Sequence, residues 1–193
     1  MERKSKITVY DMVIVGLLAA MVFVCTAFLK IGPIPTPAGP TQIKTGNIIC
    51  LLAGLLFGGW RGGLAAGIGS AIYDLTDAAF APSAPYTLVF FFAMGAVCGA
   101  ISHAGGADGK RQGRNWLAAV CGAASYLILH LGKSFIVLVL AGSAPQAALA
   151  ACGVKFITSG INAVLAVVAS CLLAPVLRTA LERAGVYQRL GKV

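Results

Sequence analysis

Charged residues are spaced so sparsely along this 193-residue chain that long stretches contain none. The charge-free intervals run from Met12 to Leu29 (18 residues), Ala78 to Ala107 (30), Asn115 to Gly132 (18), Ser134 to Val154 (21) and Phe156 to Leu177 (22). Crossing a bilayer takes about 20 predominantly apolar residues, so each interval carries a crossing or contributes to one. Only 11% of the residues are charged and 59% are hydrophobic, whereas soluble domains carry about 25% charged residues. That balance excludes a soluble globular domain, a disordered chain and a small disulfide-built secreted domain. The chain reads as an integral membrane protein.

The breaks between apolar runs set the helix count. Ile31 to Pro40 holds prolines at 33, 35, 37 and 40, which donate no backbone hydrogen bond and resist helix. Pro82-Ser83-Ala84-Pro85 divides the 30-residue interval, Ala104 to Arg114 is a Gly-rich charged loop, and Gly142 to Pro145 closes another helix. Between Thr45 and Tyr73 the only charge is Arg61, inside Gly58-Gly59-Trp60-Arg61-Gly62-Gly63, and four glycines around one arginine predict a tight reversal there. The expectation is an all-α polytopic bundle of six transmembrane helices in one membrane domain spanning 1–193. Its helices fall at roughly 11–30, 46–59, 63–79, 86–103, 115–141 and 147–178, with the second short for an ideal span.

Basic residues orient the bundle. With a cytoplasmic N-terminus and six spans, the inside segments hold Arg3, Lys4, Lys6, Arg61, Lys110, Arg111, Arg114, Arg178, Arg183, Arg189 and Lys192, which is 11 of the 15. Lys30 and Lys44 lie outside, and Lys133 and Lys155 fall within spans. Excess Lys and Arg mark the cytoplasmic side, so both termini are expected there. The +9 net charge is thereby spread over loops, not gathered into a nucleic-acid-binding face. The N-terminal run lacks a small-residue cleavage pattern and is long enough to span, so it reads as the first crossing. The six cysteines sit in apolar stretches without C-x-x-C spacing and read as small hydrophobes.

A charged side chain at the centre of a span costs about 2.5–3.5 kcal/mol on insertion scales, so those retained usually face the protein interior. Here they fall into stripes. Ser70, Asp74 and Asp77 stand at i, i+4 and i+7, as do Tyr126, His130 and Lys133, and again Lys155, Thr158 or Ser159, and Asn162. Each set occupies one face of its helix. Both lysines lie about 8 residues, or roughly 12 Å, from the outer ends of their helices. The stripes predict an outward-opening polar pocket, with Ile31–Lys44 and Thr76–Tyr86 as loops able to cover it. The plainer possibility is that Lys133 and Lys155 pair with Asp74 and Asp77 and only join helices.

Catalytic and metal motifs are absent from the sequence. It has no H-E-x-x-H, no G-x-S-x-G and no Cys/His/carboxylate set at ligand spacing. Ala104-Gly-Gly-Ala-Asp-Gly109-Lys110-Arg111 lacks the first Gly and final Ser or Thr of a phosphate loop and joins two membrane helices. No enzyme, cofactor or metal is therefore expected, nor an ATPase of the chain's own. Gly16-x-x-x-Ala20, Gly63-x-x-x-Gly67-x-x-x-Ala71 and Gly95-x-x-x-Gly99 allow helix backbones to approach closely.

The order of these features is similar to that of the substrate-binding S components of energy-coupling-factor (ECF) transporters. The resemblance rests on Thr45-Gly-Asn47 through Phe57-Gly-Gly-Trp60-Arg61-Gly-Gly63, then Ala71-Ile-Tyr-Asp74-Leu and a Pro-containing loop. It continues with Tyr126-Leu-Ile-Leu-His130-Leu-Gly-Lys133-Ser-Phe and with Lys155-Phe-Ile-Thr-Ser-Gly-Ile-Asn162, covering nearly the whole chain. It implies a six-helix subunit in a prokaryotic plasma membrane that binds a vitamin-like small molecule from outside. Its implied partners are a membrane scaffold subunit and two cytoplasmic ATPases. Family members dock through Ala-x-x-x-Ala on the first helix, which Gly16 and Ala20 match with Gly in the first position.

The expected ligand contacts are Asp74, Lys133, Lys155 and Asn162, followed by Asn47, His130, Tyr126 and Asp77. Paired lysines favour an anionic vitamin such as pantothenate, and aspartates that neutralise them leave room for riboflavin or another neutral vitamin. The competing class is a self-sufficient proton- or sodium-coupled carrier titrating Asp74 or Asp77.

Overall fold

Twelve residues, Gly46–Phe57, form helix α2, and ten of them are buried. At 1.5 Å per residue α2 rises only about 18 Å, well short of a hydrocarbon core of about 30 Å. It lies at the centre of the molecule against α1 (Val9–Phe28), α3 (Gly59–Thr76), α4 (Ala84–His103) and α6 (Pro145–Arg183). A helix so enclosed does not need the length of a lipid-facing span. The remaining helices are α5 (Gln112–Leu140), packed on α4 and α6, and the short α7 (Val186–Arg189). This computed structural model describes residues 8–190; Arg3, Lys4, Lys6 and Lys192, counted above as inside charges, lie outside the described residues.

The outer surfaces are as apolar as the interior. Leu17 and Phe28 on α1, Ile128 and Leu140 on α5, and Leu172 and Val176 on α6 are all exposed. A soluble fold would aggregate through such faces, whereas lipid solvates them. Among the described residues, four segments are long and apolar enough to cross a membrane: α1, α5, α6 and the segment containing α4. The chain is an all-α, multi-pass membrane protein.

Glycines set the spacing of α2, α3 and α4. A methyl group built on Gly95 would come 2.6 Å from the carbonyl oxygen of Gly62, and one on Gly67 would come 2.7 Å from that of Leu88. Both of these small-residue stripes thus lie at internal helix contacts. Gly16 is different, since nothing lies within 4 Å of the space its methyl would fill, and Ala20 beside it is exposed.

The reversal between α2 and α3 falls earlier than the Gly-rich stretch suggested. Gly58 alone makes it, at φ 85°, with its N–H bonded to Gly54 and its carbonyl accepting from Gly62. Arg61 therefore stands in the first turn of α3 and not in a loop. It is 6% exposed, and its Nε lies 2.9 Å from Asp11 Oδ1 at the start of α1. Asp11 also closes a capping box with Thr8. One carboxylate thus caps α1 and ties it to α3.

The Pro-rich stretch contains strands. Lys30–Ile34 (β1) and Thr41–Lys44 (β2) pair antiparallel, Lys30 opposite Lys44 and Ile31 opposite Ile43. β-branched Ile31, Ile34, Thr41 and Ile43 flank the prolines and favour extended backbone, while the prolines fall at an edge and in the connecting turn. This hairpin fills the depth that short α2 leaves at the ends of α1 and α3. At the opposite end of the bundle, Arg61 meets Asp11 and Arg178 Nη2 donates to Leu55 O at 3.0 Å. The starts of α1, α3 and α5 and the ends of α2, α4 and α6 thus share one end, and the hairpin occupies the other. Helix α6 runs 39 residues, past the expected stop at 178 to Arg183.

Candidate functional site

A cavity of about 310 Å³ opens beneath the hairpin. Its wall takes Asp74 from α3, Phe90 and Phe91 from α4, Tyr126, His130 and Lys133 from α5, and Lys155 and Asn162 from α6. The turn Pro37–Pro40 and the strand residues Gln42 and Lys44 form its roof. The helical stripes converge here because each keeps its polar positions on one face while the other faces meet lipid or neighbouring helices.

Aromatic rings make one side continuous. The Phe91 and Tyr126 centroids are 4.5 Å apart, and Tyr126 stacks on His130 at 5.2 Å with 14° between planes. Lys44 Nζ stands 4.7 Å from the centre of the Phe91 ring, and Lys133 Nζ the same distance from that of Tyr86. The Phe91 and Tyr126 planes are 45° apart, so this side is an angled aromatic wall that suits a ligand carrying an aromatic ring, with the two ammonium groups at its edges.

Several polar groups hold the roof in place. Asn162 Nδ2 donates to Gln42 O at 2.7 Å, and its Oδ1 accepts from Lys44 N at 3.0 Å. One buried amide thus takes the place of a neighbouring strand for β2. Lys155 Nζ donates to Ala38 O at 3.2 Å and to Ser134 Oγ at 3.0 Å, joining the hairpin turn to α5 and α6. Lys133 Nζ donates to Ser83 Oγ at 3.1 Å. Neither lysine forms an ion pair with Asp74 or Asp77, so the plainer reading of helices joined by those pairs is not what the side chains do.

Asp77 has left its stripe. Helix α3 ends at Thr76, so Asp77 caps it in extended conformation and faces the hairpin instead of the cavity. Lys30 Nζ lies 2.9 Å from Asp77 Oδ2 and 2.5 Å from the Tyr73 hydroxyl. The single Tyr73 hydroxyl hydrogen has Asp77 Oδ2 at 2.9 Å and Gln42 Oε1 at 3.0 Å. The bond from Lys30 holds the Asp77 carboxyl below its ordinary 3.8. Bonds to Tyr73 and Asp77 raise the Lys30 amine above 10.5.

Asn47 is also absent from the cavity wall. It is 2% exposed near the start of α2, and its Oδ1 has no donor among the described residues. Sequence reading passed over Gln42 and Lys44 in the roof and Thr87, whose hydroxyl donates to Asp74 Oδ2 at 2.5 Å. Gln42 and Lys44 are two residues apart and face the same way in a strand, a pattern visible only once this stretch is given a period of two.

Residues 6–179 match the family described as ECF-type riboflavin transporter, S component. This chain belongs to that family. S components are transport subunits, and the resemblance seen in the sequence is thereby shown over 174 of 193 residues, counting inclusively from 6 to 179. No curated protein matches the chain. The riboflavin type of the matched family gives no support to the lean toward pantothenate.

Proposed function

We propose that this S component captures riboflavin on the outer side of the membrane and delivers it to an ECF importer. The aromatic-walled cavity under a pinned hairpin is the observation that carries the reading. A flavin is neutral, with a flat three-ring system and a hydroxylated chain, so it offers a face for the Phe91–Tyr126–His130 wall and many hydrogen-bonding atoms for the rim. The volume lies at the lower end of the range of about 300–1,000 Å³ for small-molecule sites. Asp74, Tyr126, His130, Lys133, Lys155 and Asn162 surround the ligand, and Asp77 acts from outside through the hairpin.

In this reading all six long or buried helices lie in one membrane domain, with both chain ends in the cytoplasm. Arg61, Lys110, Arg111, Arg114, Arg178, Arg183 and Arg189 are on inside segments and Lys30 and Lys44 are on the hairpin side, following the positive-inside rule. Transport is energised by two ATPases acting through a scaffold subunit that meets α1 at Gly16 and Ala20.

The test is to purify the chain alone and then in complex with its scaffold and ATPases. The isolated chain is expected to carry or bind riboflavin, seen by mass spectrometry and by quenching of flavin fluorescence. Vesicles holding only this chain are expected not to accumulate riboflavin under proton or sodium gradients, whereas the full complex accumulates it with ATP. Gradient-driven accumulation by the chain alone would establish a self-sufficient carrier instead.

A further inference from the structure

Two groups in the cavity wall have hydrogen-bonding capacity that the protein leaves unused. Asp74 is 3% exposed, and Thr87 holds its Oδ2, but its Oδ1 is buried with no donor among the described residues. A buried acceptor left in that state destabilises the fold by about 1–3 kcal/mol, more when it is charged. Lys44 Nζ has no acceptor among the described residues either and rests against the Phe91 and Tyr73 rings, 4.7 and 5.8 Å from their centres. Both residues line the same cavity, yet they do not meet as an ion pair. An unmet acceptor and an unmet donor on the wall of one cavity, not paired with each other, form the complement of a ligand edge with a donor next to an acceptor.

We propose that Lys44 and Asp74 together read the edge of a cyclic amide or imide, Asp74 Oδ1 accepting its ring N–H and Lys44 Nζ donating to the adjacent carbonyl oxygen. The Phe91 ring under Lys44 meets the Tyr126 and His130 stack at 45°, so aromatic surface borders this corner and suits a ring better than a flexible chain. Thr87 holds the carboxylate through Oδ2 and leaves Oδ1 without a donor among the described residues, so the residue selects for a ligand that donates there. A ligand with only acceptors along this edge would set a lone pair against the carboxylate, and one with only donors would face an ammonium. The proposal rests on the flavin reading of the cavity, since the imide edge of a flavin has an N–H flanked by two carbonyls.

The experiment compares riboflavin with N3-methylriboflavin, which lacks the ring N–H, by fluorescence titration of the purified chain, its Asp74→Ala variant and its Lys44→Met variant. Methylation is expected to weaken binding to the unaltered chain tenfold or more. Asp74→Ala is expected to weaken riboflavin comparably while reducing the methylation penalty to less than threefold. Lys44→Met weakens both ligands by a similar factor, since it removes the carbonyl contact and not the N–H contact. Equal affinity of the unaltered chain for the two flavins overturns the proposal without any variant having to fold. The same result accompanied by a large loss with lumiflavin, which lacks the hydroxylated chain, would transfer Lys44 and Asp74 to that chain and overturn the ring assignment. Failure of the unaltered chain to bind riboflavin overturns the cavity reading and this proposal together.

Discussion

Lys155 shows how one side chain in this cavity serves both fold and ligand. Its amine reaches Ala38 O in the roof and Ser134 Oγ on α5, so two of its three hydrogens tie the roof to the bundle and one is left for a guest. Hydrogen bonds to charged groups contribute about 1.5–3 kcal/mol each, roughly 10- to 150-fold in an equilibrium constant. Lys155→Met keeps the length of the chain and its packing but frees the turn, so it is expected to weaken riboflavin binding at least tenfold, chiefly through faster release. Stopped-flow displacement measures this, and an unchanged release rate would remove Lys155 from the roof. The sequence showed this residue through its i, i+4, i+7 stripe, because helical periodicity survives folding unchanged. Lys44 is hidden for a different reason: a cation beside a proline run reads as an outer-side topogenic charge. Nothing local distinguishes a lysine turned inward over Phe91 from one in water.

The hairpin is the element whose form was least legible. Its prolines exclude helix and mark a cover over the pocket, but the seating of β2 on Asn162 spans 120 residues of sequence, which no local pattern records. The Gly58 reversal is legible to within three residues, since four glycines bracket Arg61; the burial of Arg61 against Asp11 is not, because it requires α1 to be alongside. Lys30, Tyr73 and Asp77 latch the hairpin to α3. Asp77 titrates below 3.8 in the folded chain, so its contribution is complete above that value and is lost as pH falls through the depressed one. Lys30 titrates above 10.5, so its contribution is complete below that value and is lost as pH rises through the raised one. The latch is therefore expected to hold unchanged from about pH 5 to pH 9. Asp77→Asn should speed riboflavin release several-fold at every pH in that window, with little loss of folded yield because Asp77 lies outside the buried core. Release rates measured on both chains across the window check this, and an Asp77-dependent change inside it would show that the latch is not this ion pair.

At the scale of the whole molecule, the interior and the lipid face divide the small residues between them. Gly63, Gly67, Gly95 and their neighbours bring α3 and α4 into backbone contact, whereas Gly16 on α1 has open space where its side chain would be. The surface around it is apolar, with Met12, Val13, Leu17, Met21 and Val24 all exposed. In lipid such a surface gains little from burial as such, so helix association depends on close packing, and a small-residue notch permits a second helix to approach. The notch lies on the flank of α1 remote from the cavity wall, so recognition of the ligand and recognition of the scaffold are physically separable. Gly16→Leu or Ala20→Leu fills the notch without altering any residue that packs inside the bundle. Riboflavin affinity of the isolated chain is expected to stay within about twofold of the unaltered chain, since a leucine there is one more lipid-facing side chain. Co-purification with the scaffold and ATP-dependent uptake are expected to fall at least tenfold, because a leucine at the seam of a close helix pair forces the backbones apart. Intact uptake in both variants would place the docking seam on another face of the bundle, while loss of riboflavin binding in the isolated variants would show that α1 is coupled to the cavity after all.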